Sequence, residues 1–350
     1  MSIPLIHCTD LFHPAADPDD HWDLATVYAL AVRGRVDPRA VIFDHCPPSL
    51  RRAMIWVGDP AIQAVAQLNH ITGFSAAAAV GTSKDLAAPD DPQADAAPSD
   101  KAGPNLILRV LEESPQPVAI SIVGSSKNVA VAANRAPDLF RRKCRGIYLV
   151  AGMGTTDPAK GANADTNVRY DPAAFRAIFR IQCPVYWTPC LESMDGPDWH
   201  TRLKVERYGC WWKFRQGDIL ARLSPRARNY FVYALSLESS LAWFRYLDRE
   251  TDKEKYEKIA NGDRYMWSTA AFFHMAGLGV LPNGTAAPLE SCEPQSVFTY
   301  RGISVETCEA GIADWKLDPG SRDRFIYETR FLDDYQSAMT KALGQLLAAL

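Results

Sequence analysis

Six short apolar runs punctuate the first half of the chain, at residues 3–8, 40–44, 76–81, 117–123, 146–150 and 184–188. Stretches with helical spacing of apolar residues separate them, near 20–33, 59–71, 103–113, 127–141 and 171–181. This alternation predicts βαβ units, and hence an α/β fold with a mainly parallel central sheet and flanking helices. With 350 residues and 47% hydrophobic content, the chain has ample material for such a core, and one domain over 1–350 is the simplest reading.

From about Ser224 the character changes. Residues 224–247 are aromatic-rich and helical in pattern, opening with Ser224-Pro225 as N-cap and first-turn pair. Further helices are expected at 252–260 and 265–277, so that 224–280 forms a helical cap. The tail predicts strands at 296–307 and 324–329 and a closing amphipathic helix from about 331 to 349. Residues 86–102, LAAPDDPQADAAPSDKA, carry no periodicity and are expected to form a mobile surface loop, a candidate flap near the site.

Charge and composition exclude several functions. The 41 acidic and 38 basic residues give a net charge of −3, and no segment is basic enough for a nucleic-acid footprint. No apolar run approaches the roughly 20 residues of a membrane helix. The opening MSIPLIHCTD lacks the basic start of a signal peptide. The eight cysteines show neither CxxC pairs nor zinc spacing, so reduced thiols and a cytoplasmic compartment are expected.

The chemistry concentrates at the first strand. The run Ile3 to Ile6 leads into Thr9-Asp10, and Asp19, Asp20 and Asp23 open the following helical pattern. Open α/β sheets bind ligands at the carboxyl ends of their strands, where this reading puts the acids. Carboxylates so crowded repel one another unless a cation, a proton or a hydroxyl-rich ligand lies among them. Helix capping accounts for one acid there, but not for Asp10 at a strand end.

Two further segments carry polar residues at strand ends. In 117–154 a strand runs into Gly124-Ser125-Ser126-Lys127-Asn128, and a second strand ends in Gly152-Met153-Gly154. Glycines there let a ligand approach the backbone, although the spacing is neither a P-loop nor a dinucleotide fingerprint. In 160–172, KGANADTNVRYDP, the alternating Asn163, Asp165 and Asn167 suit recognition of sugar hydroxyls, and equally suit a turn.

Together these segments resemble the inosine-uridine nucleoside hydrolase family. Its aspartate-rich motif, DTDPGxDDAxAL, is similar to Thr9-Asp10, then Asp19-Asp20 and Leu24. Its GPLTNxA turn resembles Gly124 to Ala130, and its LMGG strand end resembles Leu149 to Met153. Its sugar segment, GN…AEFNxxxDPxAA, resembles Gly161 to Ala174, and the order of motifs is kept from residue 3 to the tail. The resemblance implies a calcium ion at the pocket floor and hydrolysis of a ribonucleoside N-glycosidic bond, with a small ribosyl compound as substrate. It implies Asp10, Asp20 and the Val123 carbonyl as ion ligands, with Asp10 also the general base. It gives Asp19, Asn163, Asp165 and Asn167 to the ribose hydroxyls. Oligomeric state stays open, a homo-oligomer included.

The departures are equally specific. Cys8 stands where the family motif begins with Asp, the loop from Asp10 to Asp19 is longer, and Asp165 replaces Glu. The family's late His-Asp pair, a proton donor and an ion ligand, falls at Trp267-Ser268. Ser268 is a weaker ligand at that place, with Asp263 a substitute four residues earlier, and Trp267 becomes a wall for the substrate. His45 and His21, at strand and helix ends, are the better candidates for a relocated proton donor, with His45 preferred. His13 flanks the same acidic loop, His200 lies among base-side walls, and His70 reads as a helix-end residue. Trp199, Trp211, Trp212 and Trp267 are candidates to stack a nucleobase. Two rivals follow from the altered pair: a hydrolase of another glycosidic substrate, and a sugar- or nucleoside-binding protein without catalysis.

Overall fold

A computed structural model describes residues 2–11, 18–45, 60–155, 157, 159, 165–195, 198–238 and 240–350. The first half alternates as β1 (Ile3–Thr9), α1 (Asp19–Val32), β2 (Val36–Phe43), α2 (Pro60–Thr72), β3 (Ala77–Val80), α3 (Ala102–Glu113) and β4 (Val118–Ile122). It continues through α4 (Lys127–Arg135), α5 (Pro137–Lys143), β5 (Cys144–Val150), α6 (Thr166–Tyr170), α7 (Pro172–Ile178) and β6 (Val185–Thr188). The second half opens with α8 (Trp199–Val205), β7 (Trp212–Arg215), α9 (Gly217–Leu220), α10 (Pro225–Leu235) and α11 (Lys253–Ala260). Then come β8 (Asp263–Met266), α12 (Thr269–Met275), β9 (Leu278–Val280), β10 (Ala286–Pro288) and α13 (Leu289–Cys292). The tail is β11 (Phe298–Thr307), β12 (Ala313–Leu317), β13 (Arg324–Thr329) and α14 (Leu332–Leu347).

Nine strands form one sheet in the order β12-β11-β13-β6-β5-β4-β1-β2-β3. From β3 to β13 every pairing is parallel, while β11 and β12 close one edge antiparallel. The six apolar runs of the sequence are the six strands β1 to β6: parallel strands covered on both faces, such as β1 and β4, become continuous hydrophobic runs, while the edge strand β3 is a partly exposed run of alanines and valine. Side chains of β1 alternate between two cores: Leu5 packs on one side, Ile6 and Cys8 on the other. His7 is buried on the first side, where its Nδ1 meets Ser121 Oγ of β4 at 2.9 Å.

The expected helical cap is interrupted. The reading of 265–277 as one helix is wrong at its start, because β8 extends to Met266 and pairs antiparallel with β7, and α12 begins at Thr269. The helix expected over 224–247 ends at Leu235. The segment 86–102 is irregular as its composition implies, yet it is fastened to α4. Asn134 Nδ2 donates to the carbonyls of Pro89 and Asp91 at 2.9 and 3.0 Å, and Arg135 Nε donates to that of Pro92 at 2.7 Å. No described helix is long and apolar enough to cross a membrane, and the seven described cysteines are unpaired.

His274, at the end of α12, shows the pH cost of this packing. It sits among Tyr148, Tyr186 and Tyr300, with Nδ1 3.1 Å from the Tyr148 hydroxyl. Burial lowers its pKa to about 4. The unfolded chain therefore takes up a proton near pH 6.5 that the folded chain refuses, so this stabilising neutrality is lost as pH falls from about 6.5 toward 4. The stability advantage of wild type over His274→Gln should shrink by about 2 kcal/mol between pH 7 and pH 4.5 in denaturant titrations. A constant difference would contradict the burial of a neutral imidazole.

Candidate active site

The site is built where β1 lies between β2 and β4. Thr9 is opposite Phe43 and Cys8 opposite Ile122, which brings Asp10, Asp44 and Val123-Gly124 to one rim. Backbone N–H groups lock the rim, Asp44 donating to the Thr9 carbonyl and Val123 to the Cys8 carbonyl, both at 2.9 Å. Asp10 is 1% exposed, and neither of its carboxyl oxygens has a hydrogen-bond donor among the described residues. Burial, then the neighbouring carboxylates of Asp20 and Asp44, push its pKa well above the ordinary carboxylate range. Asp20 is also buried and accepts the Thr9 hydroxyl.

Asp44 was not singled out by the sequence. Burial raises its pKa to about 7, although it accepts the Ser125 N–H at 2.5 Å and Asn128 Nδ2 at 3.1 Å. The next side chain, His45, lies within electrostatic reach of Asp100 and does not border the cavity. Asp44 does not border the cavity either; its carboxyl turns to the Ser125–Asn128 turn behind it. His21 is likewise committed elsewhere, its Nδ1 3.0 Å from the Tyr230 hydroxyl inside the core. Neither histidine is placed to reach a ligand here. His200 is exposed on α8 and does not border the cavity, and Asn163 and His13 lie outside the described residues.

A cavity of about 280 Å3 opens beside this rim; Val123 lines it, while Asp10, Asp44 and Gly124 lie behind the lining. Asp19, Asp20 and Asp23 of α1 line one side. Asp19 and Asp23 stand four residues apart on one helix face, and Asp23 occupies a place where the family motif, aligned on Leu24, has alanine. That spacing was the available sign of its role. Asp23 is 1% exposed, its Oδ1 is without a partner, and burial followed by the charge of Asp19 raises its pKa strongly. Ser268 borders the cavity beside Asp23, which places it against this carboxyl.

The opposite wall comes from α6. Asn167 Nδ2 donates to the strand-end carbonyls of Val123 at 2.7 Å and Val150 at 3.0 Å, which leaves its Oδ1 for a ligand. Asp165 also lines the cavity, but both its oxygens are engaged. One caps α6 by accepting the Val168 N–H at 3.1 Å, and the other accepts the Cys190 thiol at 3.0 Å. Trp267 and the 45% exposed Trp199 flank the mouth, with ring centroids 6.0 Å apart and Trp211 packed behind both. Trp212 is not part of this group, since it is fully buried and stacks on Phe214 in the core. Arg169 is the one cation among the described lining residues.

Asp10, Asp20 and the Val123 carbonyl offer oxygens of the kind a hard divalent cation takes, and Asp10's unmet buried oxygens fit such a partner. Among the described residues no set of three or more His, Cys, Asp or Glu side chains gathers about one point. An ion there relies on two carboxylates, the carbonyl, and oxygens from water or ligand.

Gly124 makes the close packing possible. A Cβ there would stand 2.5 Å from Asp44 Oδ2 and 2.7 Å from the Asp10 nitrogen, and the latter is backbone that cannot yield. Gly124→Ala should cost about 2 kcal/mol, read as a lowered melting temperature. An unchanged melting temperature would show that the turn is not packed against β1 in this way.

No protein-family model matches the chain. Over 102 residues, 29% of this chain, it is 33% identical to the pyrimidine-specific ribonucleoside hydrolase RihA of Citrobacter koseri. The match spans 31% of that relative's length. The RihA of Salmonella newport is 34% identical over 97 residues. Among solved structures, the inosine-uridine preferring nucleoside hydrolase of Bacillus anthracis superposes with a TM-score of 0.52 at 12% identity, covering 97% of this chain and 100% of that one. A plant nucleoside hydrolase gives 0.56 at 17% identity, covering 98% of this chain and 99% of its own. The chain therefore shares the fold of the nucleoside hydrolases over nearly its whole length, and a local sequence likeness to them over under a third of it.

Proposed function

We propose that the chain is a hydrolase of the N-glycosidic bond of a ribonucleoside or related ribosyl compound, with calcium as its ion. The observation that carries this reading is Asp10: a buried carboxyl without a donor at the end of β1, behind Asp20, which lines the cavity together with Asp19, Val123 and Asn167. Asp10, Asp20 and the Val123 carbonyl hold the ion in this reading. Such an ion supplies a water of lowered pKa. Asp10 would act as the base on the attacking water, a role its donor-free carboxyl oxygens and low-dielectric surroundings suit. Asp19 and the Asn167 Oδ1 accept ribose hydroxyls. The surrounding carboxylates favour the positive charge that develops on the sugar ring as the bond breaks. Trp199 and Trp267 provide flat apolar faces at the mouth for the leaving base.

Among the described residues that line the cavity there is no histidine to give that base a proton. Asp23 is a cavity-lining carboxyl whose pKa is raised by burial and then by Asp19, against a smaller lowering by Ser268, with no cation beside it. We assign it the role of acid. Asp23→Asn should then slow the hydrolysis of ordinary nucleosides about a hundredfold and leave an activated p-nitrophenyl riboside nearly unaffected. Equal loss on both substrates would remove Asp23 from the role. The replacement Trp267-Ser268 favours a second reading, a nucleoside-binding protein without turnover. Ribose binding with no release of p-nitrophenolate would decide for it.

The ion itself is tested by heating. Saturating calcium should raise the melting temperature by several degrees over chelator, since an ion at about 100 times its Kd adds about 2.7 kcal/mol. Asp10→Asn should abolish that shift while melting higher than wild type in chelator, because an uncompensated buried charge is gone. A calcium shift retained by Asp10→Asn would sink the assignment.

A further inference from the structure

A second cavity, of about 450 Å3, lies between β7, α9 and α14, and the function proposed above makes no use of it. Its walls are strongly basic. In β7 the buried Trp212 and Phe214 alternate with Lys213 and Arg215, so two cations are driven to the outer face of that strand. Arg222 follows α9, and Lys341 comes from α14. Asp218 is the one acid among the lining residues, against these four bases, in a chain whose net charge is −3.

Two of the bases are already engaged. Lys213 Nζ pairs with Asp263 at 3.2 Å, and Arg215 Nη2 donates to Asn261 Oδ1 at 2.5 Å. Arg222 and Lys341 have no carboxylate within ion-pair distance among the described residues. Their stems are nevertheless positioned. The Lys341 side chain runs so close over Gly284 that a Cβ there would stand 3.1 Å from its Cδ. The Arg222 guanidinium lies over Gly344, with Nη1 3.7 Å from where a Cβ would be. On α14, Gln336, Ser337, Thr340 and Lys341 share the face turned to the cavity. The Ser337 and Thr340 hydroxyls donate to carbonyls of their own helix, leaving their lone pairs outward, and Gln336 Oε1 is buried with no partner.

We propose that this cavity binds a phosphate-bearing anion, separately from the candidate active site. Convergent like charges with no counter-ion repel one another, and an anion between Arg222 and Lys341 removes that repulsion while forming charge-assisted hydrogen bonds. Arg222 offers a planar fork for two phosphate oxygens, and Lys341 a point charge. At a third position the Gln336 amide nitrogen can donate to a phosphate oxygen, and its buried Oε1 can accept from a protonated P–OH. The shared chemistry is a phosphoryl group, carried by inorganic phosphate, a polyphosphate or a nucleotide.

Isothermal titration of the whole chain with inorganic phosphate, tripolyphosphate and uridine monophosphate tests this. Saturable one-to-one binding of at least one of them is expected, weakened about tenfold or more by Arg222→Gln with Lys341→Gln, as loss of one such contact is worth about a factor of ten. Both positions are exposed, so the melting temperature of the double variant should match wild type, and Lys253→Gln, at an exposed lysine that does not line the cavity, should bind normally. Tighter binding of tripolyphosphate than of phosphate assigns a polyanion, and a preference for the nucleotide that vanishes in the double variant assigns a nucleotide. Absence of saturable binding overturns the proposal. So does binding that survives in the double variant, or nucleotide binding lost only in Asp10→Asn, which places the anion in the catalytic cavity. Hydrolysis of a riboside should be unaltered in the double variant, so a failure here leaves the glycosidase reading untouched.

Discussion

Asp10 is held where its charge is least welcome. Its backbone is fixed by β1 between two parallel neighbours, and its carboxyl is shut away from water among Asp20 and Asp44. The sheet supplies the means: with both faces buried in apolar side chains, the β1 register cannot slip to carry the acid to solvent. Everything polar at the rim is organised around this constraint. Gly124 lacks a Cβ so that the turn after β4 can press against Asp10, and Asp44 spends its oxygens on the Ser125 N–H and Asn128 amide that shape the turn. Stability is sacrificed at this point and recovered in the two large cores on either side, a distribution common where chemistry is done.

The same constraint separates what was legible in the sequence from what was not. Strands β1 to β6 stand out because burial on both faces leaves unbroken apolar runs such as Val118–Ile122. Acids at the end of β1 are conspicuous for the converse reason, since nothing in the packing of a strand calls for them. By contrast β8, Asp263–Met266, is a short outer strand with charged and aromatic residues, and its pattern continues smoothly into α12, so periodicity merges the two. Strand β12 is five residues long with alternate exposure, and it is recognisable only once β11 lies beside it.

At single-residue scale the sequence shows which residue types are present, and orientation decides their use. Asp44 and His45 are adjacent, and a histidine at a strand end draws attention as a proton donor. The aspartate is taken up by the Ser125 N–H and the Asn128 amide of the glycine turn, and neither residue borders the cavity. Asp165 has the composition of a sugar grip, yet its two oxygens close a helix N-terminus and take a thiol. Trp212 shares a dipeptide with Trp211, and alternation along β7 sends one to the core and the other behind the cavity mouth.

The altered late pair then takes on a physical meaning. An imidazole at position 267 would carry a proton that titrates near neutrality. An indole carries none that can be given up, but it adds a broad apolar face beside Trp199 and excludes water from the mouth. Drier surroundings raise the pKa of any carboxyl facing them, and Asp23 is such a carboxyl, standing beside Ser268 on a helix face where the related motif has alanine. The loss of the acid at 268 removes a charge that would otherwise lie against Asp23, so a carboxyl at 23 is compatible with serine at 268 and poorly compatible with aspartate. In the proposed mechanism a carboxyl at 23 and a serine at 268 therefore go together, with Asp23 on the face of α1 as the proton source.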